Sequence, residues 1–239
     1  MFPFPPFSLF LSLLMTLFPE EDEPRIIGGR PCSVAQRPFQ VARTKRGQIL
    51  CGGSLVGARW VLTVEACRQP DLQVLISTNT QRAGTGQVCC VLRLQVHPGY
   101  NPWRNDDFML LHLDAPVRFG PHVKKIRVAT KCPRAGQNCN VSWGALTWPA
   151  KFPRDLQCAQ VQTISPEQCA RAYGSAVTRN MFCAGVPQGG VDSCQMCPRC
   201  VPRYGIVSWG MAVCSQHSHP GVYSNVCRAS AWIQRVIRE

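Results

Sequence analysis

The sequence predicts an all-β protein. Short β-branched and apolar runs follow one another from Ile26 to about Cys227. Gly, Pro and Asn interrupt them at short intervals, and no long helical period appears before the end of the chain. Many short strands with frequent turn signals imply a sandwich or a pair of barrels. A chain of 239 residues with 45% apolar residues accommodates one large or two small domains of this kind.

Taken in order, residues 7–18 (Phe-Ser-Leu-Phe-Leu-Ser-Leu-Leu-Met-Thr-Leu-Phe) have the length of a secretory h-region, so 1–18 reads as a signal peptide. Prolines stand where its basic n-region belongs, and no Ala-x-Ala site follows. Residues 19–25 are acidic and end at Arg25-Ile26-Ile27-Gly28-Gly29, a basic residue ahead of two β-branched ones and a glycine pair. A tryptic cut there would release an acidic propeptide. Candidate strands include Gly53-Ser54-Leu55-Val56 and Trp60-Val61-Leu62-Thr63-Val64. A third, Val91 to Val96, alternates apolar with polar from Leu92 onward. Trp232, Ile233, Val236 and Ile237 fall at i, i+1, i+4 and i+5, one apolar stripe on a helix that docks on the barrels.

No stretch reaches the roughly 18 to 20 apolar residues of a membrane span. Fifteen cysteines behind an h-region argue for disulfides formed in the secretory pathway, and the odd count leaves at least one thiol over. The net charge is +13, and a cut after Arg25 raises it to +16, because the released part carries Arg25 against Glu20, Glu21, Asp22 and Glu23. Such a charge attracts polyanions such as heparan sulfate, nucleic acid or anionic membrane. The densest basic run is Lys124, Lys125, Arg127, Lys131 and Arg134; it marks either a heparin site or a solvated face.

Several motifs stand in one order: Arg25-Ile26-Ile27-Gly28-Gly29, Cys51-Gly52-Gly53-Ser54-Leu55, Trp60-Val61-Leu62-Thr63, Asn105-Asp106-Asp107-Phe108-Met109-Leu110-Leu111, Asp192-Ser193-Cys194-Gln195, Ser208-Trp209-Gly210 and Pro220-Gly221-Val222-Tyr223. With Met181-Phe182-Cys183-Ala184-Gly185 between them, the chain resembles the chymotrypsin/trypsin-like serine proteases, tissue-kallikrein branch. The resemblance runs over essentially the whole chain. It implies two six-stranded Greek-key β-barrels with a C-terminal helix: barrel 1 over about 26–120, barrel 2 over about 121–227 and the helix over about 228–239, within one domain of 26–239.

That family's chemistry needs a serine activated by a histidine, an aspartate orienting the histidine, and backbone donors for the oxyanion. The family's Leu-Thr-Ala-Ala-His-Cys reads here Leu62-Thr63-Val64-Glu65-Ala66-Cys67, so Ala66 stands at the base position. Asp107 matches the orienting aspartate. Where the family carries Gly-Asp-Ser-Gly-Gly-Pro, this chain reads Met196-Cys197-Pro198-Arg199-Cys200, without nucleophile or acid. Gln195 to Gly205 is also roughly five residues short of the pattern, which removes the oxyanion loop. Ser193 matches a pocket wall rather than a nucleophile, and Glu65 points away from its neighbour's direction. His97, His112, His122, His217 and His219 are scattered and read as surface or satisfied residues.

Pocket positions survive as relicts: Asp192 matches the carboxylate that selects Arg or Lys, and Ser193, Ser208, Trp209, Gly210 and Gly221 match walls. They imply a site that holds a basic side chain of a protein or peptide without cutting it, or a collapsed one. The resemblance also pairs Cys32 with Cys158, Cys51 with Cys67, Cys132 with Cys227, Cys169 with Cys183, Cys194 with Cys214, and Cys139 with Cys200 or Cys197. Cys89, Cys90 and one of Cys197 and Cys200 are left for an intermolecular disulfide. If Cys89 and Cys90 lie on a strand they face opposite sides, so at most one is buried. The run Cys194-x-x-Cys197-x-x-Cys200 has metal-ligand spacing, but the family's use of these cysteines in bridges outweighs it, and neither metal nor cofactor is expected. The sequon Asn140-Val141-Ser142 sits on an expected core strand, which argues that it is unused.

The sequence therefore reads as a secreted, catalytically inactive kallikrein-like homologue acting by binding. Two alternatives stand beside it: an active trypsin-like endopeptidase cutting after Arg or Lys, which requires a different sequence at Ala66 and from Met196 to Cys200, and a translated relic without a role.

Overall fold

The computed structural model describes residues 26–27, 30–45, 48–65, 68, 70–76, 86–101, 108–143, 157–186, 192–193, 204–209 and 220–238. The expected signal peptide, 1–18, and propeptide, 19–25, lie outside them, as does Arg25 of the expected cleavage site.

The chain opens with β1 (Ile26–Ile27) and β2 (Arg30–Pro31). Next come β3 (Gln40–Lys45), β4 (Gln48–Gly57), β5 (Trp60–Thr63), β6 (Gln73–Ile76), β7 (Gln87–Val96) and β8 (Met109–Leu113). These six close into an antiparallel barrel in the order β3-β4-β5-β8-β7-β6, which leaves none of them an open edge. Val41, Leu55, Val61, Val74, Ile76, Met109, Leu111 and Leu113 fill its interior.

The second half contains β9 (Asn138–Trp143), β10 (Gln157–Thr163), helix α1 (Pro166–Tyr173), β11 (Met181–Gly185), β12 (Asp192–Ser193), β13 (Gly205–Trp209), β14 (Gly221–Asn225) and helix α2 (Val226–Val236). Its sheet runs β13-β14-β11-β10-β2, with β9 also on β10, and among the described residues it remains open. The first strands of the chain thus pair with the second half: β2 with β10, and β1 with β12. The fold is trypsin-like, mostly strand with a closing helix, as the ordered motifs imply.

Local chemistry explains the helices. Ser165 caps α1 by accepting the Gln168 N–H at 3.2 Å, and Pro166 occupies its first turn, where no N–H is needed. The C-terminal stripe docks as expected. Trp232, Ile233 and Val236 are buried with Val56, Leu62 and Phe108 of the barrel and Ile206 of the sheet, with Ile237 packed alongside. This cluster joins the two halves. A second tie is the Ser142 hydroxyl of β9, which donates to Gln40 Oε1 of β3 at 3.0 Å in a buried contact.

Two local findings depart from the sequence reading, and a third adds to it. A bulge between Val91 and Arg93 breaks the alternation of β7, so Leu92 is 62% exposed while Leu94 and Val96 pack on the core. Asn140 is exposed, because β9 turns alternate residues outward, so burial gives no reason for the sequon to be unused. Arg43 lies inside the barrel wall: it is 0% exposed, and its Nε, Nη1 and Nη2 have no hydrogen-bond partner among the described residues.

The glycine at the centre of Cys51-Gly52-Gly53-Ser54-Leu55 has a steric reason. A Cβ on Gly53 would stand 2.5 Å from Val61 Cγ1 and 3.0 Å from the Leu62 carbonyl oxygen across the β4–β5 ladder. Gly53→Ala is therefore expected to cost about 1–3 kcal/mol; a urea unfolding curve with an unchanged midpoint would contradict this.

Candidate active site

The base position follows β5. Thr63, at the strand's end, donates its hydroxyl to the Gly52 carbonyl at 2.6 Å and so ties this end to β4. Glu65 begins the next turn, and its carboxylate lies 3.8 Å from the Arg68 guanidinium. It is therefore engaged locally. Ala66 and Cys67 lie outside the described residues. So does Asp107, but Phe108 beside it is fully buried, and its carbonyl accepts the His97 N–H at 2.9 Å.

Two of the described histidines, His97 and His112, are engaged elsewhere. His97 accepts the Gly99 N–H through Nδ1 at 3.2 Å and meets the Trp232 ring edge-on at 4.8 Å. His112 lies against Trp60, ring centres 4.5 Å apart. Burial, then the nearby Arg93 and Arg59 charges, push it below the usual imidazole range. His122 is exposed, and His217 and His219 lie outside the described residues.

The pocket positions fall on three strands. Asp192 and Ser193 form β12, opposite Ile27 and Ile26 respectively, so the segment that follows the expected cleavage site lies beside the expected specificity position in the intact chain. Ser208 and Trp209 end β13, where a register shift sets Trp209 opposite Val222 of β14. Gly221 begins β14, opposite Ala184 of β11 and fully enclosed. The Tyr173 hydroxyl donates to the Pro220 carbonyl at 2.6 Å, and the Cys169–Cys183 bridge ties α1 to β11, so this wall is fixed from behind. Gly210 and the segment from Met196 to Cys200 lie outside the described residues.

Three bridges join the cysteines that the resemblance paired: Cys32–Cys158, Cys132–Cys227 and Cys169–Cys183. Cys51 is also in a disulfide, whose partner lies outside the described residues, as do Cys194 and Cys214. The expected bridge from Cys139 to Cys200 or Cys197 is corrected: Cys139 is a free, buried thiol whose pKa burial pushes up. It sits inside the sheet with Val141, Val161 and Tyr223. Cys89 and Cys90 are free as well, the first buried and the second exposed, as strand alternation requires. Burial, followed by Asp114 and Cys90, raises the Cys89 thiol. Sequence reasoning passed over Arg43, although its period-two spacing from Val41 set the two on one face of β3.

Comparison with known proteins agrees with this architecture. The family model described as Trypsin matches residues 26–233. Human Kallikrein-14 is 40% identical over 243 residues, covering 96% of this chain and 90% of its own. Trypsin V-A of Rattus norvegicus is 38% identical, covering 97% and 98%. The solved structure of neuropsin, a serine protease expressed in the limbic system of mouse brain, superposes with a TM-score of 0.79 at 36% identity, covering 87% of this chain and 98% of that one. On the matched domain, the strand order and the bridges together, the chain belongs to the trypsin family of serine proteases, in its kallikrein-like part.

Proposed function

We propose that this protein is a secreted, catalytically inactive kallikrein-like homologue that acts by binding. The observation that carries this reading is Ala66: three residues after the end of a well-formed β5 would stand the imidazole base, and an alanine accepts no proton. The sequence from Gln195 to Gly205 agrees independently, since it holds no serine to attack and no glycine pair for the oxyanion. Secretion is supported by the disulfides, which persist in oxidising compartments. Among the described residues no helix is long and apolar enough to cross a membrane. Asp192 on β12 supports retention of a basic peptide side chain without cleavage.

The test is active-site labelling. The secreted chain, cut after Arg25 and mixed with a fluorophosphonate beside an active trypsin, is expected to stay unlabelled; covalent labelling would overturn the proposal. A second reading, a translated relic without a selected role, is favoured by one observation. Arg43 is a charge buried without a partner among the described residues, the kind of defect that selection for a stable fold removes.

A further inference from the structure

The segment 124–131 runs between the two halves with its Ile126 N–H bonded to the Leu55 carbonyl at 2.8 Å. Ile126 and Val128 consequently pack on the joint core, while Lys125 and Arg127 stay exposed. Between this segment and α2 lies a groove of ≈ 710 Å³, with Lys125, Arg127 and Lys131 on one wall and Tyr204 and Gln234 among its other lining residues. Both parts of the chain that build it lack acids. No Asp or Glu stands between Asp114 and Asp155, a stretch holding Arg118, Lys124, Lys125, Arg127, Lys131, Arg134, Lys151 and Arg154; none stands between Asp192 and Glu239. The positive field over the groove therefore has no acid within either stretch to offset it, the nearest on the helix side being Glu239 at its end.

We propose that this groove binds a sulfated glycosaminoglycan chain. Its cations are exposed and close in sequence, so they meet a flexible polyanion without desolvating a buried charge. Thr130 and Gln234 offer hydrogen-bonding groups beside them for hydroxyl and sulfate oxygens. Among the described residues Tyr204 is the sole aromatic lining the groove, which gives no ladder on which successive bases stack. Ile126 and Val128 are recessed beneath the cations, whereas a bilayer surface is engaged by apolar side chains that protrude. The inference does not depend on whether the chain cuts peptides.

The full secreted chain is loaded on immobilised heparin and eluted with NaCl, and its affinity for soluble heparin is measured at fixed salt. Lys125→Glu, Arg127→Glu and Lys131→Glu together are expected to weaken binding at least about tenfold. Arg118→Glu, Arg171→Glu and Arg179→Glu, an equal charge change at exposed positions outside the groove, are expected to weaken it less than about threefold. Equal losses in the two triple variants, or no loss in either, would overturn the proposal in favour of a diffuse basic surface. Displacement of heparin by a single-stranded oligonucleotide or phosphatidylserine vesicles at equal charge concentration would overturn the choice of ligand. Should the glutamate triple not secrete, the corresponding alanine triple carries the same test.

Discussion

Replacing Arg43 with Met is expected to raise the melting temperature. The residue stands on β3 opposite Cys51 and Val74, fully enclosed, and its three guanidinium nitrogens find no hydrogen-bond partner among the described residues. Burial lowers its pKa from the usual guanidinium range to about 10. A shift of that size corresponds to roughly 3 kcal/mol lost to the charged form at neutral pH. Methionine keeps an unbranched stem of similar reach and removes the charge, so most of that loss is recovered. For a domain of this size the gain amounts to roughly 6–12 °C. The pH dependence follows from the sign of the shift. The folded state holds this proton less tightly than the unfolded chain does, so the penalty is fully present below about pH 10 and eases as pH rises further. The difference between parent and variant should therefore be flat from about pH 5 to pH 9. A variant that melts at or below the parent would show that the guanidinium is satisfied in solution.

Arg43 also illustrates how far the sequence is legible. Its pattern, Val41 and Arg43 two apart on a strand, states that both face one side; it does not state which side a charge has been forced to take. Where one periodic signal acts alone, as with Trp232, Ile233 and Val236, the structure follows it. Where a second device intervenes, period fails: the bulge after Val91 turns Leu92 to solvent, and no single residue of that run announces it. Disulfides follow the same division. Cys32 and Cys158 meet because β2 and β10 pair there, with Arg30 opposite Cys158, and the ordered motifs carry that topology. Cys139 is free although the resemblance pairs it with Cys200 or Cys197, which belong to the segment before Gly205 where this sequence departs from the family pattern. The candidate site was legible in the same uneven way. Residue identity at Ala66 reads directly, whereas the meeting of Asp192 with Ile27 and of Trp209 with Val222 requires strand pairing.

Repairing one of the two catalytic lesions is expected to give nothing, and repairing both to restore turnover. Ala66→His supplies a base with no hydroxyl to deprotonate. Exchanging the segment from Gln195 to Gly205 for the longer one of an active relative, with its Gly-Asp-Ser-Gly-Gly-Pro, supplies a nucleophile and oxyanion donors with no base. Members of such a constellation act as a unit, and loss of either Ser or His alone removes on the order of a millionfold in turnover. The scaffold needed to hold them is present: Thr63 ties the end of β5 to Gly52, Phe108 anchors the strand after Asp107, and the β1–β12 and β13–β14 ladders set Asp192, Ser208 and Trp209. After cleavage behind Arg25, the double repair should hydrolyse an arginine anilide on the order of a millionfold faster than the Ala66→His chain, and that single variant should match the parent. Turnover from Ala66→His alone would mean that a residue such as Ser193 already serves as nucleophile, and the inactive reading would fall. A doubly repaired chain that melts like the parent and still does not turn over would show that the pocket behind Asp192 has collapsed, since the chemistry would then be complete and only substrate positioning missing.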